Sequence, residues 1–73
     1  MDQPEDALAQ AERHVREAEG HVAHQLRVIA ELDRDDHPRA AALAREVLGT
    51  LQRSLELARG HLRLEQEARD HGP

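Results

Sequence analysis

The stretch DRDDHP, residues 33 to 38, divides the chain into two long segments and decides the fold. It is the only polar stretch in the middle of the sequence without apolar periodicity, and Pro38 disfavours helical dihedral angles at His37. We therefore predict a single domain over residues 1–73, with a first helix over about 4–33, a turn over about 34–37 and a second helix over about 38–69. Two such helices form an antiparallel hairpin with arms about 45 Å long.

Residues suited to helix caps flank both predicted helices. Asp2 can cap the first helix, and Pro4 fits its first turn because the N–H that proline lacks would be unpaired there. Asp35 or Asp36 can cap the second helix, with Pro38 in its first turn. These residues support the predicted helix starts.

Apolar residues recur at heptad spacing on both sides of the turn. The first helix carries Leu8, Val15, Val22 and Ile29, with Ala11, Ala18, Gln25 and Leu32 at the companion position. The second helix carries Leu48, Leu55 and Leu62, with Ala44, Leu51 and Ala58 between them. These are the a and d positions along which two helices pack, here called the seam. The many alanines predict a thin seam with closely approaching helices.

The second helix has more apolar side chains than one seam can bury. Outside the a and d positions lie Leu43, Val47, Leu57 and Leu64, and on the first helix Leu26 and Val28 widen the apolar stripe in the same way. A hairpin has no third element to cover them, and so short a chain is only marginally stable alone. We therefore predict an all-α fold, an antiparallel two-helix hairpin that dimerises into a four-helix bundle through the four residues of helix two. The alternative is that they are scattered surface residues.

Composition argues against several classes of partner and site. Cysteine is absent, which excludes disulfides and thiolate metal sites. The net charge is −5 and there is no aromatic residue, so we expect no binding to nucleic acid or to an anionic membrane. No apolar run reaches the length of about 18 residues that a membrane span requires, and no signal peptide is recognisable, so we expect a cytoplasmic protein. Ten arginines without a lysine indicate a GC-rich bacterial genome.

A stripe of histidines is the one candidate metal site. His14, Glu17, His21 and His24 share a helix face. In an antiparallel hairpin with this turn, residues whose numbers add to about 72 to 75 lie opposite each other, which places His61 near His14. Imidazole and carboxylate groups suit zinc or iron. The sequence contains neither Glu-x-x-His nor His-Glu-x-x-His, however, and histidines beside a seam are more often packed interface residues. Protonation of all six histidines would change the net charge from −5 to +1, so the sequence is also consistent with a protein that responds to pH.

Catalytic groups are not recognisable. Ser54 is the only serine and Thr50 the only threonine, and neither is preceded by a glycine-rich loop. Two thin helices also offer little room for a concave pocket. We therefore expect a protein that is not an enzyme and has no cofactor.

Motifs along residues 13 to 65 resemble those of a group of short uncharacterised helical-hairpin proteins of GC-rich proteobacteria. They comprise Gly20, His21, Val22, Gln25, Ile29, Ala30 and Leu32, then Ala44, Val47, Leu48, Thr50, Leu51, Ser54, Leu55, His61 and Leu62. The resemblance implies a helical hairpin and no assigned activity. It also leads us to expect a glycine in the turn, where this chain has Asp35, Asp36, His37 and Pro38.

These observations favour one function and leave two alternatives. We predict a non-enzymatic, self-associating hairpin, at least a homodimer, that acts through protein–protein contacts as a small regulator or adaptor with an unidentified partner. The first alternative is a metal-binding or pH-responsive protein that uses the histidine stripe. The second is a small acidic inhibitor of another protein, although both signs of charge alternate along the helices.

Overall fold

The computed structural model describes residues 6–71, which form two helices and no strand. Helix α1 spans Ala7–Arg34 and helix α2 spans Pro38–Asp70. The two helices lie side by side along the seam, and the Cα trace measures 57 × 29 × 13 Å. The predicted antiparallel hairpin is therefore confirmed, and it is a flat object one helix thick.

Helix α1 begins under a carboxylate cap. Asp6 has extended dihedral angles (φ −75°, ψ 170°), and its Oδ1 accepts a 2.7 Å hydrogen bond from the backbone N–H of Ala9. This bond pairs one of the N–H groups that the first helical turn leaves without a partner. Asp6 thus takes the role that we predicted for Asp2. Asp2 and Pro4 lie outside the described residues.

Helix α1 ends in a turn that needs a left-handed residue, and that residue is Asp36. Its φ is 60°, its N–H donates to the carbonyl of Asp33 (3.2 Å), and the next N–H, that of His37, donates to the carbonyl of Leu32 (2.9 Å). This pair of bonds is the Schellman motif, in which glycine usually holds the left-handed position. The structural place for the expected glycine therefore exists, and an aspartate occupies it.

The prediction that Asp35 or Asp36 caps α2 is wrong. Both aspartates belong to the end of α1, where Asp35 is the C-cap residue. The N-cap of α2 is His37, which has non-helical dihedral angles (φ −111°, ψ 74°) and makes no side-chain capping bond. Pro38 follows at the first helical position, as predicted. Because the N-cap must directly precede this position, neither aspartate is close enough to serve.

The core between the helices is narrow. Every residue predicted for the seam is buried or half-buried. The buried residues are Ala11, Ile29, Ala41, Ala44 and Leu55. Three of these five are alanines, which allow the two backbones to approach closely, as predicted, but contribute little apolar surface. The hairpin therefore buries much less than a globular domain of similar length.

Among the described residues, one side-chain-to-backbone hydrogen bond joins the two helices within the seam itself. The side-chain Nε2 of Gln25 donates to the backbone carbonyl of Ala44 at 2.9 Å, in a part-buried position. Gln25 occupies a d position, where a polar residue that finds a single partner specifies the register of the two helices. The contact therefore fixes which turn of α1 faces which turn of α2.

Glycine at position 36 should stabilise the hairpin. We expect Asp36→Gly to raise the free energy of unfolding by about 0.5 to 1 kcal/mol, because the steric strain of a left-handed φ on a residue with a Cβ outweighs the greater backbone entropy that glycine loses on folding. Urea unfolding at a fixed protein concentration measures the change. The control is Asp35→Gly, at a φ of −88°, which should not stabilise. Equal effects of the two substitutions would contradict the assignment of strain to Asp36.

Loss of the cross-seam hydrogen bond should destabilise the hairpin. We expect Gln25→Ala to lower the free energy of unfolding by about 1 to 2 kcal/mol, through the lost bond and the lost packing. Gln52→Ala, at an exposed position of α2, should change it by less than about 0.5 kcal/mol. If both variants unfold at the same urea concentration as the parent chain, the contact does not hold the helices in register.

Candidate interaction surface

Ion pairs between the helices define one broad face of the hairpin. Arg45 contacts Asp33 at 2.5 Å, and Arg59 contacts Glu19 at 3.4 Å. All four residues directly follow a d position, so these positions of both helices lie on the same side of the seam. This side, here called the charged face, comprises Glu12, Glu19, Leu26 and Asp33 of α1 with Arg45, Gln52, Arg59 and Gln66 of α2. Such exposed pairs contribute little stability, but they show how the faces are arranged.

On the opposite side of the seam, the described residues that flank it directly include no acidic residue and no arginine. They directly precede the a positions, and together we call them the uncharged face. Its members are Ala7, His14, His21 and Val28 of α1 with Ala40, Val47, Ser54, His61 and Ala68 of α2. The two broad faces of this flat molecule therefore differ sharply in chemistry.

Helix α2 extends the uncharged face into a second heptad pattern. Its residues alternate in steps of three and four, and we call them the second stripe: Ala40, Leu43, Val47, Thr50, Ser54, Leu57, His61, Leu64 and Ala68. All nine are exposed, although eleven of the 33 residues of α2 carry acidic or arginine side chains. At 1.5 Å per residue the stripe is about 42 Å long. An exposed stripe with this spacing is suited to pack against another helix.

All four residues predicted for the intermolecular interface lie on the second stripe. Their exposed fractions are 64% for Leu43, 49% for Val47, 76% for Leu57 and 65% for Leu64. The interface predicted from the sequence omits the five smaller or polar members of the stripe. Their signal was available, since the three-and-four spacing continues through them without a charged residue. Leu26, grouped with Val28 in the sequence analysis, lies instead on the charged face and is 50% exposed.

The predicted histidine stripe is exposed, and two of its histidines, His14 and His21, lie near the same carboxylate, that of Glu17. A 2.7 Å hydrogen bond from Arg13 lowers the pKa of Glu17; slight desolvation opposes this, and the charges of Arg13, His14 and His21 lower it further. A lowered carboxyl pKa stabilises the fold above the ordinary pKa of glutamate, and this small contribution is lost as the pH falls through the lowered value. His24 lies on the outer edge of α1 and is exposed.

His61 is the one predicted metal ligand on α2. Its Nε2 lies 3.2 Å from Oε1 of Glu65, one turn further along the helix. Among residues 6–71, no group of three or more His, Asp or Glu side chains is placed so that it could hold a metal ion. The fold of one chain therefore does not bring His14, Glu17, His21, His24 and His61 together as a ligand set.

Concave features are shallow. One open depression at the turn is lined by residues 36–40, and a second on α2 is lined by Glu56, Arg59 and Arg63. Thr50 and Ser54 are exposed members of the second stripe.

Neither of the helices α1 and α2 is both long and apolar enough to cross a bilayer.

In a comparison with known proteins, neither a family model, nor a curated protein, nor a solved structure matches this chain.

Proposed function

We propose that this chain functions through protein–protein contacts as a non-enzymatic, self-associating helical hairpin, and that the second stripe is its contact surface. The observation that carries the proposal is the exposed, uncharged stripe on a helix that is otherwise rich in charge. Charged groups resist burial, so a stripe free of them can be covered by a partner at low desolvation cost.

The spacing of the stripe indicates what kind of partner it fits. Steps of three and four residues match the ridges and grooves of another helix that crosses at a shallow angle. The leucines of the stripe, Leu43, Leu57 and Leu64, all fall on one seven-residue series, with Thr50 between the first two. A partner helix with the same period can therefore pack along the full length of α2.

A second copy of this chain meets those requirements. A symmetric dimer brings the same uncharged patch together from both copies. The broad side of the hairpin that carries the uncharged face and the second stripe is about 42 Å long and about 20 Å wide, or about 800 Å², and its α1 margin also carries Glu17 and Glu31. That area is close to what each partner contributes to a standard stable interface. The dimer would also supply the second apolar layer that the narrow seam lacks.

The charged face is a poorer surface for self-association. Burial there would remove Arg45, Asp33, Arg59 and Glu19 from water, and the desolvation of ion pairs often exceeds their attraction. In a dimer formed through the uncharged faces, both charged faces point outward. They would remain available to an unidentified partner protein, in keeping with a small regulator or adaptor.

A charge on the second stripe should abolish self-association. We expect the parent chain to have about twice its 8.2 kDa mass in solution, and Leu57→Glu to be monomeric, because the new carboxylate would be buried without a partner. Light scattering after size exclusion, at equal micromolar concentrations, measures the masses.

The matched control is Leu26→Glu, which introduces the same charge at an exposed leucine of the charged face. This variant should keep the dimer mass. Loss of the dimer in both variants, or in neither, would contradict the assignment of the interface to the second stripe.

A further inference from the structure

We infer that protonation of the histidines on the uncharged face releases the self-association. The inference rests on the proposed function, and it concerns three of the six histidines of the chain. His14 and His21 lie on the α1 half of the face, and His61 lies within the second stripe of α2. His24, His37 and His71 lie outside this face.

His61 has the most direct position. It follows Leu57 by four residues and precedes Leu64 by three, and these two leucines are 76% and 65% exposed. A second copy that covers both leucines must also cover the imidazole between them. A neutral ring packs in such a place at low cost, whereas an imidazolium loses hydration that the partner does not replace.

Two carboxylates per chain lie close enough to offset part of that cost. Glu65 contacts His61 at 3.2 Å, and Glu17 lies near His14 and His21 on α1. Glu17 already accepts a hydrogen bond from Arg13, so its charge is largely balanced. On the α2 side, Ser54 and His61 face the α1 histidines across the uncharged face, and neither is acidic. At low pH a dimer would therefore contain six imidazolium groups on its uncharged faces but only four nearby carboxylates, and two of these carboxylates are already paired with Arg13.

The overall charge of the chain acts in the opposite direction, but more weakly. Protonation moves the net charge from −5 towards zero, and this reduces repulsion between two copies. Apart from Glu17 and Glu65, the acidic residues make no contact with these histidines in the described part of the chain, and salt screens their interactions beyond about 8 Å at physiological ionic strength. Charges inside the interface are screened much less. The cost of burying the imidazolium groups therefore outweighs the reduced repulsion between the copies, and association weakens as the pH falls.

The test is the dissociation constant of the dimer, measured by sedimentation velocity at pH 7.5 and pH 5.5 in 0.15 M salt. An imidazole that is mostly neutral in the free chain at the higher value, mostly protonated at the lower one, and neutral in the complex weakens association about tenfold between them. One such group in each chain gives about 100-fold. We therefore expect the dissociation constant of the parent chain to rise at least about 100-fold.

Variants assign the effect to the histidines of this face. The triple variant His14→Gln/His21→Gln/His61→Gln should bind equally well at both pH values, and His61→Lys should bind weakly at both. His37→Gln, at the turn, should keep the full pH response. A pH response that persists in the triple variant would overturn the assignment. A dimer equally tight at both pH values would overturn the inference and leave the proposed function intact, whereas a monomeric parent chain at pH 7.5 would overturn the proposed function itself.

Discussion

Two helices packed only against each other can bury one stripe of side chains apiece, and the rest of this structure depends on that constraint. The stripes that α1 and α2 bury are rich in alanine, so the backbones approach closely and the apolar area removed from water is small. Large apolar residues such as Leu57 lie outside the buried stripe and remain in water. The same constraint thus produces a thin hairpin and an exposed apolar surface on one of its broad faces.

The arrangement of charge makes that surface specific. Ion pairs between the helices occupy one face, and on the opposite side the residues directly beside the seam and the second stripe of α2 are small, apolar, hydroxyl or imidazole side chains. Because the molecule is flat, a second copy can cover one face without disturbing the other. The histidines are the only groups on the uncharged face whose charge changes near neutral pH. For this reason the proposed self-association and its proposed response to pH involve the same residues.

The fold was largely predictable from the sequence, because heptad spacing and a single polar break leave few alternatives to a hairpin. The details of the turn were not. Asp35 and Asp36 suit the end of α1 as well as the start of α2, and only the backbone hydrogen bonds show that Asp36 takes the left-handed position. Similarly, Gln25 was visible as a polar residue in the seam, but its partner is a backbone carbonyl, which no side-chain pattern reveals.

The candidate surface was predictable in part. Its large apolar members stood out from the heptad pattern, whereas Thr50, Ser54 and His61 were considered for catalysis or metal binding because of their residue types. The ion pairs Arg45–Asp33 and Arg59–Glu19 show how the two helices are rotated relative to each other, and hence that these residues share one side of the hairpin. Rotation about the helix axis is a tertiary property, and residue types alone do not specify it.

The solution mass of the unmodified chain tests the central claim most directly. Sedimentation equilibrium at pH 7.5, over a concentration series from about 1 to 100 micromolar, reports that mass without any assumption about shape. We expect a mass of about twice 8.2 kDa at the upper end of the series, with dissociation only on dilution. A mass of 8.2 kDa at every concentration would contradict the account, because the second stripe would then remain in water without a partner copy.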